Sequence, residues 1–176
     1  MDLKENDLKI LFDEKQIHDA IKNLGTQLND FYKDEEISII CILKGSVMFM
    51  ADLAKQLKMP VKIEFIRLSS YGSGTTSSGK VNAVDISLPD LNCKNVLIIE
   101  DIIDTGHTAK FLVDFINHNF KTKSLKFCSL LDKKIKREVA IDADYYCFEV
   151  DDKFIVGYGL DYNGYYRNLP YIGYLK

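Results

Sequence analysis

The residues with the clearest chemical potential lie in one short stretch near the middle of the chain. It runs Val96-Leu-Ile-Ile-Glu-Asp-Ile-Ile-Asp-Thr-Gly-His-Thr-Ala109. Three acids, Glu100, Asp101 and Asp104, follow an apolar run typical of a buried strand. Carboxylates bind hydroxyl groups or a metal ion, or they transfer a proton. The stretch therefore predicts a site built around three carboxylates.

A tight turn, Thr105-Gly106-His107-Thr108, follows the third acid and leads into a helical pattern. The first N–H groups of a helix lack partners, and the helix dipole favours an anion beside them. Gly106 allows the backbone to approach that anion closely. Thr105 and Thr108 add hydroxyl donors. A turn that binds an anion beside three carboxylates is suited to a phosphorylated sugar.

The apolar pattern indicates the elements that must position these residues. Helical spacing is clearest in the stripe Ile17, Ile21, Leu24, Leu28 and Phe31. Strands that alternate with helices predict an α/β fold with a parallel sheet, in which ligands bind at the carboxyl ends of strands. Functional residues are therefore expected just after residues 43, 99, 131 and 158. Helices are predicted near 17–31, 47–57 and 108–118, and strands near 37–43, 61–68, 96–99, 125–131, 145–150 and 154–158.

The segment 69–80 is almost entirely small and polar, with Tyr71 as its one large side chain. Such a segment buries too little surface to offset its ordering entropy, which predicts a mobile loop. The link from Val81 to Cys93 contains no motif that indicates a function, and neither does the N-terminal helix.

Composition limits the classes of function that remain. The 176 residues suit a single domain, 1–176, and the net charge of −3 does not favour nucleic acid as a partner. Charges recur along the N-terminus and no apolar run is long enough for a membrane span, so a cytoplasmic protein is expected. The spacing of the four cysteines predicts reduced thiols rather than a zinc site.

The run from Val96 to Ala109 resembles the PRPP-binding motif of type I phosphoribosyltransferases, most closely the hypoxanthine-guanine branch (PRPP is phosphoribosyl pyrophosphate). Three further segments resemble that branch in the same order. Leu43-Lys44-Gly45-Ser46 is similar to its pyrophosphate-binding turn, and Arg67-Leu-Ser-Ser-Tyr-Gly-Ser-Gly-Thr75 is similar to its mobile catalytic loop. Residues 152–167 resemble its base-binding and C-terminal segment. The resemblance implies an α/β fold: a central, mainly parallel twisted sheet flanked by helices, with a small hood built from the termini.

The resemblance also implies roles for individual residues. Asp104 would act as general base or acid at purine N7, and Ser70 and Tyr71 would close over the reacting centre. Mg²⁺ is the implied cofactor, and a homodimer or homotetramer the implied assembly. The implied PRPP-binding residues are Lys44, Gly45, Arg67, Glu100, Asp101, Thr105, Gly106, His107, Thr108 and Arg167. The implied metal-binding residues are Glu100, Asp101 and Asp161, and the implied base-binding residues are Lys133, Phe154 and Ile155.

Lys133 would donate to the 6-oxo group of the base, because an ammonium group only donates and so prefers a carbonyl to the amino group of adenine. This predicts hypoxanthine and guanine as substrates, with Lys134 an alternative one residue away. A sister transferase that prefers xanthine, or a regulator that binds PRPP without catalysis, remains an alternative. The tripeptide Asp104-Thr105-Gly106 also occurs in aspartic proteases, but those are all-β proteins. The family often holds a cis peptide at the position of Leu43-Lys44.

Overall fold

The computed structural model describes residues 8–70, 81–85 and 87–175. Strands and helices alternate along most of this part of the chain. The helices are α1 (Glu14–Tyr32), α2 (Val47–Ala54) and α3 (His107–Asn119). The strands are β1 (Leu8–Phe12), β2 (Ile37–Leu43), β3 (Val61–Ser70), β4 (Val81–Asp85), β5 (Asn95–Ile103), β6 (Ser124–Asp132), β7 (Tyr145–Glu149), β8 (Ile155–Val156) and β9 (Ile172–Leu175).

The larger sheet has the strand order β4-β3-β2-β5-β6-β7. The pairs from β3 to β7 are all parallel, and only β4 joins antiparallel, at the edge next to β3. Parallel neighbours bring their carboxyl ends to one side of the sheet. The predicted α/β fold with a mainly parallel sheet is confirmed.

Two hydrophobic cores cover the two faces of this sheet. The residues of β5 alternate between them: Leu97 and Ile99 pack with α1 and α2, whereas Val96 and Ile98 pack with α3. All four side chains are fully buried. An uninterrupted apolar run is therefore the expected sequence of this central strand.

Helix α1 begins with a capping box, in which Asp13 accepts from the backbone of Gln16 and the Gln16 side chain accepts from the backbone of Asp13. The predicted stripe is buried from Ile17 to Leu28, but Phe31 is 48% exposed and Tyr32 takes the buried place in the last turn. None of the helices in the described ranges is both long and apolar enough to cross a membrane.

A second, three-stranded sheet joins the two ends of the chain in the order β1-β9-β8. This confirms the predicted hood built from the termini, although β1 and β9 were not predicted as strands. The strand predicted at 154–158 is shorter than expected, since only Ile155 and Val156 pair. Gly157 and Tyr158 have positive φ angles of 96° and 48°, which end the extended backbone there.

The predicted mobile loop is wrong at its first two residues. Ser69 and Ser70 belong to β3, where they pair with Asn82 and Val81 of β4. Backbone pairing with β4 supplies the ordering that their small side chains do not. The remainder of the predicted loop, residues 71–80 with Tyr71, lies outside the described residues.

Candidate active site

The predicted functional residues gather where β2, β5 and β6 end. Strand β5 runs on to Ile103, past the predicted end at Ile99, so Glu100 and Asp101 lie inside the strand rather than after it. Glu100 pairs in register with Ser129 of β6, and Lys133 directly follows β6. Sheet geometry thus brings the acids and the lysine to one edge.

The turn after β5 has the form expected of an anion site. Gly106 precedes α3 with a φ of 88°, and the first helical hydrogen bond runs from Lys110 N to Gly106 O over 2.9 Å. The N–H groups at residues 107–109 come before that bond and have no partner within the helix. They are available to an anion, as the sequence predicted.

Packing also explains why residue 106 is a glycine. A Cβ atom there would lie 2.6 Å from Ile141 Cγ2 and 3.0 Å from Arg137 Cδ, and a positive φ strains other residues. The His107 ring lies 2.8 Å from Glu138 Oε2 through Nε2, so its side chain is engaged on the protein surface. Any contact of His107 with an anion therefore falls to its backbone.

Asp104 lies between the acids of β5 and the anion turn. It is not the N-cap of α3, because Gly106 takes that position. Its Oδ1 is buried and has no hydrogen-bond partner among the described residues. A buried acceptor without a partner is costly unless a ligand supplies the donor. Asp104 is therefore placed to accept a proton or a hydrogen bond from a bound substrate.

The turn after β2 packs directly against the acids. The Leu43-Lys44 peptide is cis, which the sequence alone could not decide, and Lys44 is exposed. A Cβ on Gly45 would lie 1.4 Å from Asp101 Oδ2, and a Cβ on Gly159 would lie 2.0 Å from Gly45 O. Two glycines thus allow three segments to meet around the Asp101 carboxylate.

Burial dominates the electrostatics of the acid pair. It raises the pKa of Glu100 well above its usual range, and the neighbouring Asp101 raises it further while Arg137 opposes the shift. Burial also raises the pKa of Asp101, to about 6, although the N–H of Ile102 donates to this carboxylate and lowers it. Both groups would ionise more readily beside a cation or hydroxyl donors.

These carboxylates fit a divalent cation only in part. Among the described residues, no three His, Cys, Asp or Glu side chains gather closely enough to hold a metal ion by themselves. Magnesium commonly takes one or two carboxylates and completes its shell with water and substrate phosphates. The adjacent carboxylates of Glu100 and Asp101 suit that arrangement.

Replacing Asp101 with asparagine should stabilise the free protein at pH 7.5. The folded pKa of about 6 exceeds the ordinary 3.8, so the folded protein binds this proton more tightly than the unfolded chain does. Its contribution to stability is present below pH 3.8 and is lost as the pH rises through about 6. We expect D101N to raise the free energy of unfolding at pH 7.5 by on the order of 1 kcal/mol.

Thermal unfolding at pH 7.5 and pH 5 measures this effect, and the gain should be smaller at pH 5. The matched control is D114N, because Asp114 is an exposed acid on α3 that pairs with Lys110. A melting temperature of D101N below that of the wild type at pH 7.5 would contradict the prediction.

Lys133 has the burial expected of a residue that reads a ligand. It is 7% exposed, and its Nζ donates to Lys153 O over 2.9 Å and lies 3.8 Å from Asp152 Oδ1. An ammonium group has three donors, so further donors remain. The alternative, Lys134, is at the surface and donates to Glu149 over 2.8 Å. The geometry favours Lys133.

The other predicted base-binding residues lie in and beside β8. Phe154 is 53% exposed, and its ring meets Tyr162 edge-on with the centroids 5.4 Å apart. An exposed aromatic face held by a neighbouring ring can stack on a flat ligand. Ile155 is buried in the strand, so only its backbone could face a ligand.

Asp161 and Arg167 bind each other. Arg167 Nη2 lies 2.5 Å from Asp161 Oδ1, and Arg167 Nη1 donates to Gly159 O over 2.6 Å. Much of the guanidinium group is thus already engaged, and a pyrophosphate would have to share it. This pairing was not predicted from the sequence.

The remaining predicted residues lie on β3 or beyond it. Arg67 is exposed and pairs in register with Leu43 of β2, which places its backbone near the turn at Lys44. Ser70 ends β3, and Tyr71 lies outside the described residues. Sequence reasoning missed Gly159, for which the pattern Gly157-Tyr158-Gly159 was the available signal, and it missed Arg137.

Comparison with known proteins agrees with this geometry. A family model described as a phosphoribosyl transferase domain matches residues 7–163. The chain is 44% identical over 174 residues to a hypoxanthine-guanine phosphoribosyltransferase of Streptococcus thermophilus, covering 99% of this chain and 96% of that protein. It is also 46% identical over 172 residues to a bifunctional TilS/HprT protein of Listeria innocua, covering 97% of this chain and 26% of that longer protein.

The fold is similar to that of a solved relative. A crystal structure of a hypoxanthine phosphoribosyltransferase from Staphylococcus aureus superposes with a TM-score of 0.91. The two are 44% identical in sequence, and the match covers 97% of this chain and 93% of the other. The similarity thus includes both the central sheet and the hood.

Proposed function

The chain belongs to the phosphoribosyl transferase family, and from that premise we propose that it transfers the 5-phosphoribosyl group of PRPP to N9 of a 6-oxopurine. Its substrates are hypoxanthine and guanine, and its products are IMP or GMP and pyrophosphate. The proposal rests on the groups that lie together where β2, β5 and β6 end. The start of α3, the carboxylates of Glu100 and Asp101, and the buried Lys133 meet there.

Each subsite is assigned from its chemistry. The start of α3 binds the 5′-phosphate through its N–H groups and through Thr105 and Thr108. Glu100 and Asp101 accept from the ribose hydroxyls. Both carboxylates also favour the positive charge that the ribose gains as its bond to pyrophosphate breaks. The turn at Lys44 and Gly45, with Arg67 and Arg167, faces the pyrophosphate.

The purine is held from three sides. Phe154 stacks on the ring, Lys133 donates to the 6-oxo group, and the backbone of Ile155 faces the ring edge. N9 then bonds to the ribosyl carbon as the bond to pyrophosphate breaks, and Asp104 takes the proton that leaves N7. The proposal includes closure over this centre by Ser70 and Tyr71, which would exclude water and so prevent hydrolysis of PRPP.

Magnesium is the proposed cofactor, with Glu100, Asp101 and Asp161 as the residues that would hold it alongside substrate oxygens. When bound, a divalent cation neutralises charge on pyrophosphate and ribose oxygens. The raised pKa values of Glu100 and Asp101 support this assignment, since a cation would favour their charged forms.

The test of the function is turnover with PRPP and Mg²⁺, measured separately with hypoxanthine, guanine, xanthine and adenine. We expect turnover of hypoxanthine or guanine and none of adenine, because Lys133 has no acceptor for an amino group. Replacing Lys133 with methionine should then weaken hypoxanthine binding, seen as a raised KM for the base. Lys126→Met is the control, because Lys126 pairs with Asp144 at the surface.

Two other results of this assay would support the alternative functions. Turnover of xanthine above the other two bases would make the protein the sister transferase. Binding of PRPP without turnover of any base would make it a regulator.

Self-association is also proposed. Ile63 and Phe65 of β3 are two residues apart and therefore share a face of the strand, where they are 38% and 50% exposed. Adjacent exposed apolar side chains on one sheet face are typical of a protein interface. A homodimer or homotetramer would cover them, and the molar mass in solution tests this. The cytoplasmic location stays a prediction.

A further inference from the structure

We propose that the buried ion pair between Asp132 and Arg137 is a positioning element that links the base-binding turn to the phosphate-binding turn. Through it, each half of the nucleotide site would depend on the other for its geometry. The inference rests on the proposed function and adds two residues to which no role had been given.

The pair closes the turn that begins with Lys133. Asp132 is the last residue of β6 and is 1% exposed, while the side chain of Arg137 is 13% exposed. Arg137 Nη2 donates to Asp132 Oδ1. The four residues between them are Lys133 and the short helical turn Lys134–Lys136. The base-binding lysine is therefore held inside a loop whose two ends are joined.

The same arginine supports the phosphate-binding turn. Arg137 Cδ and Ile141 Cγ2 occupy the space next to Gly106, at 3.0 Å and 2.6 Å from where a Cβ would lie. The next residue along, Glu138, donates its backbone N–H to Thr105 O over 2.9 Å. A shift of Arg137 would therefore be transmitted to the turn that starts α3, because little free space lies between them.

A third contact joins the two turns at their base. The backbone N–H of Lys133 donates to Ile103 O over 2.9 Å, and Ile103 is the residue before Asp104. Asp132 pairs in register with Ile103 as well. The base-binding lysine, the proposed proton acceptor and the ion pair thus share one hydrogen-bonded segment.

The energetics favour positioning over stabilisation. Buried ion pairs contribute little net stability, because desolvation offsets most of their attraction. Here Asp132 Oδ2 and the Nε and Nη1 atoms of Arg137 are buried and have no hydrogen-bond partner among the described residues. Unsatisfied buried polar groups are costly. A pair with so many unmet hydrogen bonds is better explained by the geometry that it imposes on its neighbours.

The test compares ligands that fill one half of the site with a ligand that fills both. Ribose 5-phosphate occupies the phosphate half, hypoxanthine the base half, and IMP both. For Arg137→Met we expect the affinity for IMP to fall by roughly tenfold more than the affinity for ribose 5-phosphate, a size typical of coupling between sites. The KM values for PRPP and hypoxanthine should rise together, with a smaller fall in kcat.

Three further variants separate positioning from folding. Arg137→Lys keeps the charge and should restore part of the IMP affinity, and Asp132→Asn should show the same pattern as Arg137→Met in milder form. Lys126→Met, which breaks the surface pair with Asp144, should leave every affinity unchanged. If Arg137→Met does not fold, Arg137→Lys and Asp132→Asn carry the test.

The inference is overturned if the variants that fold lower the melting temperature but keep both KM values and the IMP affinity within about twofold of the wild type, well below the usual range of coupling. Wild-type protein that turns over neither hypoxanthine nor guanine overturns the proposed function and this inference with it. If the wild type turns over hypoxanthine or guanine but the KM values and IMP affinities of the variants are unchanged, this inference alone is overturned.

Discussion

Replacing Asp104 with asparagine is expected to lower kcat roughly 100- to 10,000-fold, the range over which general acid–base groups contribute. Asparagine keeps the shape of the side chain but cannot take the N7 proton of the base. The buried Oδ1 has no partner among the described residues, so it is free to receive that proton. The KM for PRPP should change little, because the proposed function assigns the phosphate and ribose to other groups. Steady-state kinetics with hypoxanthine measures both quantities.

Two controls distinguish the loss of the proton acceptor from a general loss of folding or PRPP binding. Asp114→Asn removes an exposed acid from α3 and should leave kcat unchanged, since that carboxylate pairs with Lys110 on the same helix. PRPP binding by Asp104→Asn, measured by calorimetry, should match the wild type. A variant that keeps near wild-type kcat would rule out Asp104 as the proton acceptor.

Replacing Gly159 with alanine should disable the site through Gly45. The new Cβ would lie 2.0 Å from Gly45 O, and the φ of 102° would strain any side chain. A clash with backbone requires movement of Gly45, which in turn packs against the Asp101 carboxylate. Since a displacement of about 1 Å can cost 100-fold in rate, we expect a loss of kcat/KM for PRPP of at least that order.

Gly164→Ala is the matched control for this substitution. Gly164 also has a positive φ, of 85°, but a Cβ there would meet no atom within 4 Å. Alanine at 164 should therefore show the strain alone, roughly 1–2 kcal/mol of stability, and keep its activity. Gly159→Ala should lose about 1–3 kcal/mol more from overpacking. Equal effects of the two variants on kcat/KM would show that the contact between Gly159 and Gly45 does not matter.

The raised pKa of Asp101 and the close packing of Gly45 and Gly159 around it indicate a trade-off between the stability of the free protein and its activity. Burial raises the pKa of the Asp101 carboxylate, so its charged form lowers the stability of the free protein at neutral pH. The same burial would favour an interaction of these acids with hydroxyl donors or a cation, as the proposed function requires. Asp101→Asn tests the effect on stability, and Gly159→Ala tests the effect on activity.

Local sequence was enough to predict the elements that carry the site. The apolar run of β5 is buried on both faces, and the pattern Asp104-Thr105-Gly106 marks a turn into a helix. These features depend on periodicity and on backbone preference, which neighbouring residues decide. Because ligands bind at the carboxyl ends of parallel strands, the sequence also predicts that the acids and Lys133 lie at the same end of the sheet.

Errors arose where distant pairing decides the outcome. Ser69 and Ser70 were predicted to be mobile because of their small side chains, yet pairing with β4 orders them. Phe31 was predicted to be buried by periodicity, whereas Tyr32 occupies that place. Strands β1 and β9 are short and depend on each other from opposite ends of the chain, so neither carries a strong signal of its own.

The residue pattern was sufficient to predict the three helices, the strands β2, β3, β5, β6 and β7, the turn before α3 and the chemical groups available to the site. Three features follow only from the folded chain: the ion pair of Arg167 with Asp161, the contact of Gly159 with Gly45, and the position of Arg137 between two turns. The physical reason is the range of the interactions. Backbone preference and apolar periodicity act over a few residues, whereas close packing and buried charge depend on which distant segments the fold brings together.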